Sequence, residues 1–279
     1  MFPNITILGR TFAVYSIITA FATLLIGFIL CSRIKRLGLD SNDAILFLLS
    51  VMGGILVGSH FLFAITNFRL VPNIFSSGTL DEFFRNVAAV FGGAVFYGGL
   101  IGGLVAGWIF ARIMKLDMLI YCDTMAPLIP LFHGFARLGC FFGGCCYGIE
   151  SDIGFVVHNN IYLPELNGVR RFPVQLFESA GEFLIFLILN LVYIKIWRSR
   201  LRDETTNVPL HPLRGCLLSM YFILYSVLRF SDEFLRGDTI RGFVFNGLLS
   251  TSQFISILVF VVGVVYFVIT YKKNIRSTP

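Results

Sequence analysis

Arg137 and Arg229 each close a long apolar stretch of this 279-residue chain. A guanidinium at membrane depth is costly unless an anion meets it. Two of them, from remote parts of the chain, read as a grip on one anion, and the anion native to that depth is a lipid phosphate. Arg137 sits in a segment that runs from His133 through Gly134, Arg137, Gly139 and Cys140 to Gly143, Gly144, Cys145, Cys146 and Gly148. Glycines beside a membrane-depth arginine point to a loop whose backbone N–H groups also face an anion. His133, four residues before Arg137, shares its helical face. A functional histidine and a hydrogen-bonded core histidine weigh equally there.

Around Arg229 the run Tyr225-Ser-Val-Leu-Arg229-Phe-Ser-Asp232-Glu233-Phe-Leu-Arg236-Gly-Asp238 puts Tyr225, Arg229, Glu233 and Arg236 at helical spacing. They would share one face, and Glu233 could hold either arginine. A structural ion-pair network is a fair account of Glu233 and Arg236, and a weaker one of Arg229. Gln175 and Glu178 add polar groups at the same level, and Asp123 is a carboxylate inside an apolar run that needs a partner. Tyr97 precedes Gly98, Gly99, Gly102, Gly103 and Gly107, a small-xxx-small series that lets helices approach closely. Packing explains most of these glycines, although a bare glycine surface can also admit a lipid chain. Tyr97 reads either as a functional hydroxyl or as an interfacial belt tyrosine. Of the six cysteines, Cys31, Cys122 and Cys216 read as small buried hydrophobes. For Cys140, Cys145 and Cys146, packing ranks first, a disulfide second and a metal site third, because adjacent cysteines seldom give two ligands to one ion.

These side chains must be carried by membrane helices. The chain is 56% hydrophobic and 14% charged, too apolar for a soluble surface. Nucleic-acid binding is a weak reading, since no basic stripe is interleaved with aromatics. Seven continuous apolar segments, at about 12–31, 44–66, 87–111, 118–136, 175–196, 213–230 and 249–270, predict an all-α integral membrane protein of about seven transmembrane helices. Continuous runs argue against a β-barrel. A cleavable leader is not expected, because basic residues follow the first apolar run and do not precede it. Of the 22 Lys and Arg, 13 fall after spans one, three, five and seven. The positive-inside rule then puts the N-terminus outside and the C-terminus in the cytoplasm. Outward segments are expected at about 67–86, 139–173 and 231–248, and residues 198–212 read as a cytoplasmic connector. The whole chain, 1–279, reads as one transmembrane domain with a small extracytoplasmic segment at about 139–173. Arg137 and Arg229 then lie at one depth near the outer leaflet.

Five motifs occur in a telling order. They are Tyr97-Gly-Gly-Leu-Ile-Gly102, Asp123 with Ala126-Pro-Leu-Ile-Pro130, Gly134-x-x-Arg137-Leu-Gly139, Phe172-Pro-x-Gln175-Leu-Phe-Glu178, and Tyr225-x-x-x-Arg229-Phe-x-x-Glu233-Phe-x-Arg236. The set resembles the prolipoprotein diacylglyceryl transferases over nearly the whole chain, seven spans included. That resemblance implies a multi-pass enzyme of the bacterial plasma (inner) membrane. Such an enzyme moves diacylglycerol from phosphatidylglycerol to the lipobox cysteine of a prolipoprotein, forming a thioether and releasing glycerol phosphate. It implies that Arg137 binds phosphatidylglycerol and that Arg229 is the second essential arginine. The chain departs from the family twice: Tyr97 stands where many members have a histidine, often proposed as the base, and Cys140 stands where an asparagine is usual. The expected catalytic residues are Arg137, Arg229, Tyr97 and His133, with the base left open between the last two. Substrate binding is expected from Arg137, Gly98, Gly99, Asp123, Cys140, Gln175, Glu178, Tyr225, Glu233 and Arg236. No metal and no cofactor is expected. The partners are phosphatidylglycerol, lipobox peptides and membrane lipids. The competing readings are a non-catalytic lipid-binding or transport protein, or a divergent transferase with another acceptor.

Overall fold

The structure, a computed structural model, describes residues 3–7, 9–93, 95–199, 210–238 and 242–277. Most of the connector expected at 198–212, including Asp203, Glu204 and Pro209, lies outside the described residues. In chain order the elements are β1 (Asn4–Ile7), β2 (Arg10–Ala13), α1 (Val14–Arg36), α2 (Ser41–Thr66), α3 (Val71–Phe75), α4 (Leu80–Phe91) and α5 (Phe96–Ile113). Then come α6 (Met118–Met125), α7 (Leu128–Gly143), β3 (Glu150–Val156), β4 (Arg170–Arg171), α8 (Val174–Trp197), α9 (Leu217–Asp232), β5 (Phe243–Val244), β6 (Leu249–Ser250) and α10 (Thr251–Ser277). The strands form three separate antiparallel pairs, β1 with β2, β3 with β4 and β5 with β6. The chain is therefore mostly helical and not purely so.

Among the described residues, five stretches are long and apolar enough to cross a membrane: Val14–Arg36, Ser41–Thr66, Met118–Gly143, Val174–Trp197 and Thr251–Arg276. Many of their apolar side chains point outward. Leu24 and Phe28 on α1, Val57 and Phe61 on α2, and Val262 and Ile269 on α10 are all exposed. A helix that is apolar all round is at home in hydrocarbon, where its backbone is satisfied internally. The other two expected spans are shorter. α5 has 18 residues and α9 has 16, so at 1.5 Å per residue they reach about 27 and 24 Å.

The span expected at 87–111 is divided. Leu80, Phe83, Phe84, Val87 and Phe91 line one face of a separate helix, α4, with Asp81, Glu82, Arg85 and Asn86 opposite. Thr79 accepts from the Glu82 N–H at 3.2 Å while the Glu82 carboxylate accepts from the Gly78 N–H at 2.9 Å, a reciprocal cap that fixes where α4 starts. The break before α5 is held from α2: His60 Nδ1 lies 2.8 Å from the carbonyls of Phe91 and Gly93, and the Val95 N–H donates to the Ser59 carbonyl at 3.1 Å. Hydropathy merged the two helices because both are apolar on at least one face. The outward segment expected at 67–86 is likewise largely helical, containing α3 and the start of α4.

The chain divides into two compact units, Met1–Leu30 with Cys122–Pro279, and Cys31–Tyr121. In the second, α2 and α5 meet along glycines. A Cβ on Gly58 would lie 2.2 Å from the Gly98 carbonyl oxygen, and one on Gly102 would lie 2.2 Å from that of Gly54. Gly99 and Gly103 face Ile55. Gly98 and Gly99 are buried, so the bare surface they would offer a lipid is covered by α2. Gly58→Val drives a branched side chain into backbone that cannot rotate away. Thermal unfolding in detergent should show a loss of at least about 3 kcal/mol, whereas Gly53→Val, where a Cβ meets nothing, should change little.

In the first unit α8 is central. Ile185, Leu189 and Tyr221 form one buried cluster, and Ala126, Tyr193, Ile196 and Leu217 form another, tying α8 to α9 and to the end of α6. Phe183 packs on Gly134 and Leu228 on Gly181, so small residues bring α7 and α9 close to α8. α7 continues to Gly143, and Gly144 ends it in the left-handed conformation at φ +75°. Arg137 therefore lies within the helix, not at the start of an outward loop at Gly139.

Candidate active site

Three elements of the first unit supply the polar cluster. α7 carries His133 and Arg137 one turn apart. α8 carries Glu178 and Glu182 one turn apart. The end of α9 and the 3₁₀ turn Glu233–Leu235 carry Arg229, Asp232 and Glu233, followed by Arg236. Ser179 locks α8 to α7 by donating to the Gly134 carbonyl at 2.9 Å. The chain after α9 is stitched to the loop after α7. Gly237 donates to Tyr147 and Ile149 donates to Leu235, both at 3.0 Å, and a Cβ on Gly237 would lie 2.4 Å from the Gly148 carbonyl oxygen. Only glycines at this crossing bring Arg236 against α8.

The pairing is specific. Arg137 Nη2 lies 2.9 Å from Glu178 Oε1, and Arg236 Nη1 lies 3.8 Å from Glu178 Oε2, so one fully buried carboxylate lies between two guanidiniums. His133 Nδ1 lies 2.6 Å from Glu182 Oε1, and Glu182 is also fully buried. Glu233 pairs with Arg229 and not with Arg236. The helix ends at Asp232, so Arg236 leaves the expected face and takes Asp238 instead, with two contacts of 2.7 Å. Arg137, Arg229 and Arg236 each thus lie within ion-pair distance of a carboxylate.

The arginines are nevertheless not saturated. Arg137 Nε, Arg229 Nη1 and Arg236 Nη1 are buried with no hydrogen-bond partner among the described residues. A buried guanidinium N–H without a partner costs stability unless a ligand accepts from it. Arg137 and Arg229 also have neighbours in common. The Tyr225 hydroxyl and the Asp232 carboxylate each lie within electrostatic range of both. Tyr225 stacks on Tyr221, with ring centroids 5.6 Å apart, and lies 5.3 Å from the His133 ring. The cluster is therefore a set of partly neutralised guanidiniums with N–H groups left over, beside a histidine aligned by a carboxylate. Such an arrangement can bind a phosphodiester, stabilise charge on its oxygens and move a proton.

The remaining expected residues have other placements. Asp123 accepts from the Gly215 and Leu217 N–H groups at 2.6 and 3.3 Å, which anchors the start of α9. Gln175 is buried and donates to the Cys145 carbonyl at 2.8 Å, holding the loop after α7. Cys140 lies with Cys145 and Cys146, their three sulfurs within 4.8 Å of one another. Tyr97 belongs to the first turn of α5, and its side chain lies outside the described residues. The sequence reading missed Glu182 and Asp232. Both are acidic residues in otherwise apolar helices, and the rule that flagged Asp123 would have flagged them.

A model of the prolipoprotein diacylglyceryl transferase family matches residues 3–269. A phosphatidylglycerol–prolipoprotein diacylglyceryl transferase of Clostridium tetani is 31% identical over 256 residues, covering 91% of each chain. A protein of Clostridium perfringens, named as the second such transferase, is 36% identical over 233 residues, covering 83% of this chain and 80% of its own. One from Hydrogenovibrio crunogenus is 32% identical over 190 residues, covering 67% of this chain and 65% of its own.

Proposed function

The chain belongs to the prolipoprotein diacylglyceryl transferase family, and we propose from that membership and from the arginine–carboxylate cluster that it moves the diacylglyceryl group of phosphatidylglycerol onto the lipobox cysteine of a prolipoprotein in a bacterial plasma membrane. The observation that carries the site assignment is that Arg137 and Arg229, from different helices, each keep a buried N–H without a hydrogen-bond partner among the described residues while lying within electrostatic range of Tyr225 and Asp232. In this reading α5 and α9 are short spans, bringing the crossings to seven. The N-terminus lies outside, the C-terminus is cytoplasmic, and the chain is one membrane domain whose outer part includes about 139–173.

The acceptor thiolate attacks the glycerol carbon that bears the phosphate ester. The new bond is carbon–sulfur, the carbon–oxygen bond breaks, and its electron pair leaves on the phosphate oxygen of glycerol phosphate. Charge accumulates on that oxygen where water is scarce, and Arg137 and Arg229 stabilise it as it grows. The thiol must lose its proton first. His133 Nδ1 lies 2.6 Å from Glu182 Oε1, which favours a proton on Nδ1 and leaves Nε2, 4.0 Å from Glu178 Oε1, to take one from the acceptor; this supports His133 as the base ahead of Tyr97. Glu182 then holds the ring in place and stabilises the imidazolium that forms. Arg236 steadies Glu178, the partner of Arg137.

The direct test is to embed the purified protein in vesicles containing phosphatidylglycerol labelled in the glycerol carbons of its diacylglyceryl part and to add a lipobox peptide. Label should appear on the peptide in a linkage stable to mild base and hydroxylamine, as a thioether is. A folded protein that leaves the peptide unlabelled would overturn the proposal. His133→Gln should lower kcat by about 10²- to 10³-fold with little change in KM for the lipid. Added imidazole should partly restore His133→Ala. Tyr97→Phe should stay within about tenfold of wild type, short of the loss of a general base.

A further inference from the structure

We propose that Cys140, Cys145 and Cys146 form a three-thiolate site for one thiophilic d¹⁰ cation, Zn²⁺ or Cu⁺. The proposed transfer does not use this cluster, and it concerns the disposition that the sequence ranks last. Adjacent cysteines on extended backbone point apart, which is why the pair Cys145–Cys146 looks unpromising. Here the backbone removes the objection. Gly144 is left-handed at φ +75° and Cys146 is left-handed at φ +57°, a conformation that non-glycine residues rarely hold without a local reason. Two such turns within three residues curl the chain back over the last turn of α7, where Cys140 is buried. All three sulfurs then lie within 4.8 Å of one another, and all three are free thiols. Sulfurs on one tetrahedral zinc ion are about 3.8 Å apart, from bonds of about 2.3 Å. Closing the present trio onto an ion needs a movement of no more than about 1 Å.

The surroundings suit an anionic centre. Arg236 lies beside the loop that carries Cys146, in a backbone bridge with Gly148. Arg137 lies within electrostatic range of Cys140 and Cys146. Three thiolates on a divalent ion carry one net negative charge, and two arginines are at hand to offset it. The loop is also held from outside the trio. Gln175 donates to the Cys145 carbonyl at 2.8 Å and Asn160 donates to the Gly144 carbonyl at 2.9 Å. The ligands are thus largely preorganised, and Cys145 is exposed enough to admit an ion. The soft sulfur donors select Zn²⁺ or Cu⁺ over Mg²⁺ or Ca²⁺.

The test uses the full chain in detergent or nanodiscs, purified under reducing conditions and equilibrated separately with Zn²⁺ and with Cu⁺ held reduced. After passage over a desalting column with a weak chelator, one equivalent of one of these ions should remain. Co²⁺ in place of Zn²⁺ should give a thiolate-to-metal charge-transfer band in the near ultraviolet. Cys140→Ser, Cys145→Ser and Cys146→Ser should each weaken retention at least 100-fold and abolish the band, while Cys31→Ser should leave both unchanged. Retention of Zn²⁺ or of Cu⁺ alone identifies the ion, and either supports the site. The proposal is overturned if reduced protein keeps no stoichiometric ion, if the three variants keep it as well as wild type, or if two of the three sulfurs are found joined in a disulfide in protein isolated without oxygen. None of these readouts involves lipid transfer, so the metal site and the transferase assignment can fail independently.

Discussion

Arg137→Ala should reduce transfer from phosphatidylglycerol by about 10³-fold or more while the protein still accumulates in the membrane. Two losses combine. The phosphate loses a guanidinium that binds it and stabilises the leaving oxygen. Glu178, fully buried, also loses the partner 2.9 Å away and becomes a poorly compensated anion beside the phosphate. Breaking a buried pair from one side costs about 3–5 kcal/mol. A second variant separates these causes. In Arg137→Gln with Glu178→Gln no unpaired charge remains, so the protein should regain stability without regaining transfer. Arg137→Lys keeps the charge but not the planar fork, and should stay well below wild type. The measurement is the initial rate of label transfer, normalised to protein that survives detergent extraction and size-exclusion chromatography. Substantial transfer by Arg137→Ala would remove this arginine from the reaction.

Arg229→Ala should have the second largest effect, a loss of about 10²- to 10³-fold. Arg229 comes from a different helix, and its pair with Glu233 lies within one turn, so its removal disturbs the links between helices less than removal of Arg137 does. The loss should therefore fall on transfer more than on stability, and Arg229→Ala should unfold closer to wild type than Arg137→Ala. Glu233→Gln is the matched control. It frees Arg229 from its partner without removing the guanidinium, and should retain more activity than Arg229→Ala. Equal losses in the two would assign Arg229 to the ion pair and not to the phosphate.

What could be read from the sequence was chiefly charge in the wrong place. Arg137, Glu178 and Arg229 interrupt apolar runs, and that cost marks them for partners before any fold is known. The partners themselves were less legible. Glu233 lies four residues from Arg229 and was within reach of helical spacing. The pairing of Arg137 with Glu178 and of His133 with Glu182 depends on how α7 meets α8, through Gly134 under Phe183 and Ser179 on the Gly134 carbonyl. Helical periodicity placed Arg236 on the face of Arg229. The turn after Asp232 moved it to Asp238 and Glu178, because continuity beyond the last helical hydrogen bond is not encoded in spacing.

The fold was readable to the same degree. Long apolar runs announce helices such as α1, α8 and α10. They do not announce the break between α4 and α5, since a hydropathy window cannot tell one long helix from an amphipathic helix followed by a span. Two of the strand pairs were invisible for a different reason. β4, β5 and β6 are two residues long, too short for alternation to register. The clustering of Cys145 and Cys146 depends on a left-handed residue that is not glycine, a conformation that residue type alone does not announce.

Two guanidiniums from different helices are expected to close on one lipid phosphate. The measurement that meets it most directly is a structure of the protein with phosphatidylglycerol bound in place of surrounding lipid. The phosphate oxygens should lie within hydrogen-bonding distance of both Arg137 and Arg229, with the glycerol carbon that bears the ester turned toward His133. A head group held by only one of the two arginines, or seated away from both, would contradict the account.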